Sequence, residues 1–280
     1  MKFINRSGTS FLTKMLPVVM LLFSTGIVQG QNSRDSFNLE LPLRGAFYYS
    51  WYPQTWSVGG EHVFYQPELG YYTSENENVV EQHIEDMDYA KIDVAIASWW
   101  GVDKQKQALR FPILLDKTIE ANSKLKWAFY YEMEGFSNPT VEELKSDLDY
   151  LMEKYGGHEA IAKIDGKPVI FVYAANDQSC EVADRWAEAT NDDWYVNLKV
   201  FGGFRSCRNQ PDSWHQYGPA TATQQHKNYS FVISPGFWRA DENTARLQRD
   251  SARWYKNVRE MIASNQPWQL ITTFNEWGEG

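Results

Sequence analysis

From residue 44 onward the chain alternates short, nearly unbroken apolar runs with longer stretches in which apolar residues recur every three or four positions. Gly45-Ala46-Phe47-Tyr48-Tyr49 reads as a buried strand, followed by a Gly/Pro-punctuated loop from Pro53 to about Asn76. Val79, Val80, His83, Ile84, Met87 and Ala90 keep the i, i+3/i+4 spacing of one helix face, which predicts a helix over 78–91. The pattern then repeats. Strands are expected at 94–99, 126–131, 168–173 and 195–201, with helices near 108–123, 139–155 and 180–190. Pro139 suits a first helical turn, where its missing N–H costs nothing. Shorter runs at 213–217 and 230–234, a long helix at 243–264 and a last strand at 268–274 complete the series.

Strands that are apolar on both faces and joined by helical crossovers imply a parallel sheet. Eight of them in about 250 residues suit an α/β fold of the (β/α)8 TIM-barrel type. The alternative, an open doubly wound sheet, lacks the Gly-rich nucleotide loop expected after an early strand. The chain stops six residues past Phe274, so the expectation is a truncated barrel without its final helix. The expected organisation is a signal peptide at 1–30, a leader at 31–43 and one barrel domain at 44–280.

The N-terminus differs from this pattern. Lys2, Arg6 and Lys14 precede an apolar run from Met15 to Val28, with no acidic residue. A basic n-region, a short h-region and small residues near position 30 read as a cleaved secretory signal. The run has 14 residues, interrupted by Pro17, Ser24, Thr25 and Gly26. A spanning helix needs about 20, so an uncleaved anchor is the less favoured reading and secretion the expected destination. In a secreted chain Cys180 and Cys207 are candidates for a disulfide, and Asn228-Tyr229-Ser230 for glycosylation. The formal net charge is −9, and loss of the basic leader makes the remainder more acidic still. That balance disfavours nucleic acid and anionic membranes, which need a basic footprint. No CxxC, HExxH or EF-hand pattern occurs, so no metal or other cofactor is expected.

In a barrel of this kind the chemistry sits at the C-terminal ends of the strands. The polar and aromatic residues falling there are Ser50, Trp51 and Tyr52; Trp99, Trp100 and Asp103; Glu132 and Glu134; and Asn176 and Asp177. Further along come Arg205, His215 and Tyr217; Phe237 and Trp238; and Asn275, Glu276, Trp277 and Glu279. Carboxylates and aromatics dominate, and no nucleophilic Ser or Cys elbow is present. Cleavage of a glycosidic bond needs a proton donor and a second carboxylate, and flat rings suit sugar stacking. Glu276 and Glu279, three apart, share a face in any helical turn after the last strand.

Gly45–Tyr52, the loop Pro67–Tyr72, His83–Met87, Ile92-Asp93 through SWWG (98–101), and FNEWGEG (274–280) together resemble the glycoside hydrolase family 71/99 group. The resemblance is closest to family 99, the endo-α-mannosidases and endo-α-mannanases, and covers residues 44–280. It implies a metal-independent (β/α)8 hydrolase that cleaves α-mannosyl glycans with retention, so the implied partner is an oligo- or polysaccharide. By the FNEWxEG motif, Glu276 and Glu279 are the catalytic pair. The family's first glutamate acts as base toward the substrate 2-hydroxyl, giving a 1,2-anhydro sugar, and its second as acid and then base. Glu132, Tyr48, Tyr49, Trp51, Trp99, Trp100, Asn275 and Trp277 are the implied substrate contacts.

The chain departs from the family at three places. Gly278 stands where a histidine is frequent, Glu132 lies in a Tyr-Glu-Met-Glu context, and residues 201–217 match poorly. An α-1,3-glucanase-like hydrolase of family 71 and a non-catalytic glycan-binding barrel remain as alternatives.

Overall fold

The computed structural model of the chain describes residues 38–102, 105–173 and 179–280. Eight strands run parallel: β1 (Leu43–Tyr48), β2 (Val94–Trp99), β3 (Lys126–Tyr131), β4 (Lys167–Val172), β5 (Tyr195–Lys199), β6 (Ser213–His215), β7 (Ser230–Ile233) and β8 (Trp268–Ile271). They pair in the order β7-β8-β1-β2-β3-β4-β5-β6, so the sheet curls round until β6 and β7, at its two ends, lie against each other. All eight expected strands are present. The connection from β6 to β7 is a hairpin rather than a helix, with Thr223–His226 antiparallel to β7.

The helices are α1 (Glu77–Tyr89), α2 (Gln105–Glu120), α3 (Val141–Tyr155), α4 (Cys180–Thr190) and α5 (Ser251–Ser264). Helix α1 buries Val79, Val80, His83, Ile84 and Met87, the face its spacing predicts. Two boundaries differ from expectation. Thr140 caps α3 and forms a reciprocal capping box with Glu143, so Pro139 precedes the cap instead of opening the helix. Helix α5 begins only at Ser251, where Asp250 accepts from the Arg253 N–H; residues 243–250 form a loop that returns to Phe237.

Side-chain alternation along each strand divides the buried residues into two layers. Phe47, Ile96, Tyr130, Phe171 and Trp268 fill the barrel. Tyr48, Ala97, Phe129, Val172 and Leu198 face the helices. Cys180, at the start of α4, is bonded to Cys207, with Cα atoms 5.2 Å apart. The bridge ties α4 to the loop after β5. Among the described residues no helix is long and apolar enough to cross a membrane. The proposed signal lies outside the described residues.

Candidate active site

Beyond β8 the chain forms a 3-10 turn, Trp277–Glu279, in which the Glu279 N–H bonds the Glu276 carbonyl at 3.0 Å. Residues three apart eclipse in such a turn, so both carboxyls project to the same side. Each carboxyl acts on the ionisation of the other. Neighbouring loops hold the turn. The Trp238 N–H donates to the Glu279 carbonyl at 2.6 Å and the Ala240 N–H to the Gly278 carbonyl at 3.0 Å. A Cβ on Gly278 would come within 2.7 Å of Val58 Cγ2, so the hairpin at 57–62 seats directly on the turn. That close approach gives a physical reason for glycine at this position.

Both glutamates keep partial exposure. Burial first, and then the adjacent Glu279 charge, push the Glu276 carboxyl well above the usual carboxylate range. Burial also raises Glu279, opposed by its bond to Glu276 and by Arg239 and Arg246. Neighbouring carboxyls resist ionising together, which favours retention of one proton by the pair.

Tyr217 donates to Glu276 Oε2, and Tyr49 donates to the Tyr217 hydroxyl at 2.8 Å. This gives a phenol–phenol–carboxyl chain across the barrel mouth. Glu132 at the end of β3 is buried, and Ser98 Oγ donates to its Oε1 at 2.9 Å. Trp100 Nε1 in turn donates to Ser98 Oγ at 2.9 Å. Burial pushes Glu132 up to about 8; the Glu279 charge adds to this, while Ser98 and Lys199 oppose it. The Lys199 ammonium lies 4.2 Å from the centre of the Tyr173 ring.

The expected sugar contacts separate by strand face. Tyr49 faces the barrel mouth and stacks on Trp51, with centroids 4.3 Å apart. Trp100 and Glu132 share Ser98 as a bonding partner, whereas Trp277 packs on the cluster of Tyr52, Trp56 and Tyr72, its Nε1 bonding the Tyr72 hydroxyl at 3.1 Å. Tyr48 and Trp99, expected among the sugar contacts, lie on the other face. Each sits on the helix-facing side of its strand and is buried there, with the Tyr48 hydroxyl 3.1 Å from His83 Nδ1. Asn275, also expected among the sugar contacts, bonds the backbone of Tyr49. It is buried, accepting from the Tyr49 N–H at 2.7 Å and donating to the Tyr49 carbonyl at 2.8 Å, so it fixes the end of β1 to the segment after β8.

Other residues of the strand ends are engaged in contacts within the fold. Glu134 is buried and binds Arg185 and Trp186 of α4. His215 lies inside the barrel, 3.2 Å from Asn197 Oδ1. Arg205 packs over Phe204 and Tyr229. Asp103, Asn176 and Asp177 lie outside the described residues. Asn228 is exposed in the turn before β7. Tyr217 is the functional candidate that sequence reasoning underweighted. Its signal was an aromatic two residues beyond His215, at the mouth end of β6.

Among the described residues no group of three or more His, Cys, Asp or Glu side chains is arranged to hold a metal ion. The fold is similar to that of a family 99 endo-α-mannosidase from Bacteroides thetaiotaomicron, with TM-score 0.69 at 22% identity over 85% of each chain. A glycoside hydrolase-like protein superposes with TM-score 0.61 at 16% identity, again over 85% of each chain. Glycoprotein endo-α-1,2-mannosidase of Rattus norvegicus is 24% identical over 274 residues, covering 77% of this chain and 55% of the relative. A glycoprotein endo-α-1,2-mannosidase-like protein of Danio rerio is 26% identical over 259 residues, covering 77% of this chain and 58% of that one. The chain thus spans about half the length of these curated relatives. The model of glycosyl hydrolase family 99 matches residues 56–211, more than half of the sequence, and on that match the chain belongs to glycosyl hydrolase family 99.

Proposed function

We propose that this chain is a secreted, retaining glycoside hydrolase that cleaves an α-linked mannoside glycan through Glu276 and Glu279. The observation that carries the reading is the pairing of these two partly exposed carboxyls on one face of the turn after β8, with Tyr217 bonded to the first. Family membership and the names of the mannosidase relatives support the substrate class. The Cys180–Cys207 bridge supports an oxidising compartment.

The chemistry follows from the environment of each group. A sugar entering between the carboxyls separates them, and the proton of the ligand-free pair passes to Glu279. Glu276, now ionised and steadied by the Tyr217 hydroxyl, removes the proton of the 2-hydroxyl. O2 attacks C1 as the glycosidic bond breaks, and Glu279 gives its proton to the departing oxygen. In the second half Glu279 takes a proton from water as that water attacks C1. The C1–O2 bond opens and O2 recovers its proton from Glu276. The atoms balance as hydrolysis with net retention. Positioned acid and base groups of this kind contribute roughly 10²–10⁴-fold each. Tyr49, Trp51, Trp100 and Trp277 supply flat or hydroxylated surfaces for the sugars, and Glu132 a buried carboxyl for a hydroxyl contact.

The test is incubation of the protein with α-1,2-linked mannooligosaccharides and, in parallel, with α-1,3-glucan, following the first released anomer by NMR. Release of the α-anomer from the mannooligosaccharide is expected. Initial release of the β-anomer contradicts retention, and cleavage of the glucan alone moves the chain to the α-1,3-glucanase alternative. Binding of either glycan without cleavage assigns it to the glycan-binding alternative.

A further inference from the structure

The backbone on either side of Glu276 is held by one side chain, Tyr52, from the loop after β1. Glu276 has φ −84° and ψ 73°, close to the inverse γ-turn, in which the carbonyl before a residue and the N–H after it converge. The Tyr52 hydroxyl joins these two groups. It donates to the Asn275 carbonyl at 2.6 Å and accepts from the Trp277 N–H at 3.0 Å. The Glu276 N–H donates to Thr273 Oγ1 at 3.0 Å, and the Glu276 carbonyl accepts from the Glu279 N–H at 3.0 Å. Both peptide planes that meet at the Glu276 Cα are thereby bonded through carbonyl and N–H alike, and Tyr52 supplies one bond to each plane. Fixing both planes fixes the Cα–Cβ direction, and with it where the carboxyl points.

Tyr52 is itself immobilised. Its ring is fully buried, stacks on Trp56 with centroids 4.0 Å apart, and meets Tyr72 edge-on at 5.2 Å. Its N–H donates to Ser74 Oγ at 3.1 Å, and its carbonyl accepts from the Ser74 N–H at 3.1 Å. Arg110 of α2 clamps the two ends of this loop, donating to the Ser50 carbonyl and to Glu75 Oε1, each at 2.7 Å. Tyr72 adds a second tie to the same segment, its hydroxyl accepting from Trp277 Nε1 at 3.1 Å and from Asn275 Nδ2 at 3.4 Å. A ring with no exposed surface offers a sugar no contact, so the strand-end position of Tyr52 serves the carboxyl and not the ligand.

We propose that Tyr52 is a positioning residue, which aims the Glu276 carboxyl by bonding both peptide groups that flank it. The role rests on the reading of Glu276 as the base toward the 2-hydroxyl.

The experiment compares Tyr52→Phe with Thr118→Val. The first keeps the stacked ring and removes only the hydroxyl. The second removes a buried hydrogen bond between α2 and β3, where Trp127 Nε1 donates to Thr118 Oγ1 at 2.7 Å on the helix side of the sheet. Denaturant midpoints, kcat and KM on a mannooligosaccharide that the wild type cleaves, and amide exchange of residues 274–280 by mass spectrometry are measured for both. Both variants are expected to fold with lowered midpoints. Only Tyr52→Phe is expected to lower kcat, by about 10–100-fold with KM within about twofold, because a misaimed base slows the reaction without weakening binding. Only Tyr52→Phe is expected to speed exchange across 274–280, by about tenfold or more. Should it fail to fold, Tyr72→Phe, which removes the second tie, carries the same readings. A wild-type kcat in the folded variant, a loss lying wholly in KM, or an equal loss of kcat in Thr118→Val overturns the role and leaves the hydrolase reading standing. A wild-type protein that cleaves neither mannooligosaccharide nor α-1,3-glucan defeats the hydrolase reading. Exchange then decides alone: an unchanged rate overturns the hold of Tyr52 on Glu276, and a faster one upholds it.

Discussion

Tyr217 donates its phenolic hydrogen to Glu276, 59 positions further along the chain, and itself receives the hydrogen of Tyr49. Three side chains, from just past β1, just past β6 and the segment after β8, thereby form one chain of bonds across the mouth of the barrel. The Tyr217 bond lowers the Glu276 pKa against burial and the Glu279 charge, which raise it.

Tyr217→Phe removes that donor, so Glu276 holds its proton to higher pH. A base must be ionised to act, and the acid limb of the kcat/KM profile should therefore move to higher pH. Activity at neutral pH should fall by about 10–100-fold, equivalent to one hydrogen bond to a charged group. An unmoved acid limb, measured on a cleaved mannooligosaccharide, speaks against this role.

Glu132 gives a stability prediction with a definite sign. Its folded-state pKa of about 8 lies above the ordinary value of 4.5. Between these values the folded protein binds more protons than the unfolded chain, so stability falls as pH rises through the window. Glu132→Gln should melt higher than wild type at pH 9, with the difference closing toward pH 4. His83 works in the opposite sense. Burial lowers it to about 4 from 6.5, so its contribution is lost as pH falls between those values. Melting curves across pH 4–9 test both, and an unchanged gap between wild type and Glu132→Gln at all pH values would contradict the first.

The strands and the carboxyl pair were legible because both are local signals. Apolar runs mark buried strands, and a motif places two glutamates three apart after the last one. Which aromatic of an adjacent pair faces the barrel mouth was not legible. Tyr48 and Tyr49, like Trp99 and Trp100, sit in runs buried on both faces, so hydrophobicity does not reveal the phase of the alternation. Partners set the phase: His83 on α1 takes the Tyr48 hydroxyl, and Tyr217 takes that of Tyr49. The role of Asn275 was hidden for the same reason, since its bonds to Tyr49 cross 226 positions. The start of the last helix was misplaced because residues 243–250 bond back to Phe237, a tertiary contact with no periodic signature.

Asn275→Ala should act on stability and activity together. It leaves the Tyr49 N–H and carbonyl without their side-chain partners in a buried site. The expected cost is about 2–4 kcal/mol, and turnover should fall because Tyr49 and the catalytic turn lose their common anchor. Denaturant unfolding measures the first effect and steady-state kinetics the second. A stability within about 0.5 kcal/mol of wild type would argue against the anchoring role.

The most direct test of the account is the turnover of Glu279→Gln on a mannooligosaccharide that the wild-type protein cleaves. The substitution keeps the shape of the side chain and removes the proton donor. The account predicts a folded variant with wild-type secondary structure whose kcat is reduced about 10²–10⁴-fold. A folded Glu279→Gln protein that hydrolyses the same glycan at the wild-type rate would contradict it.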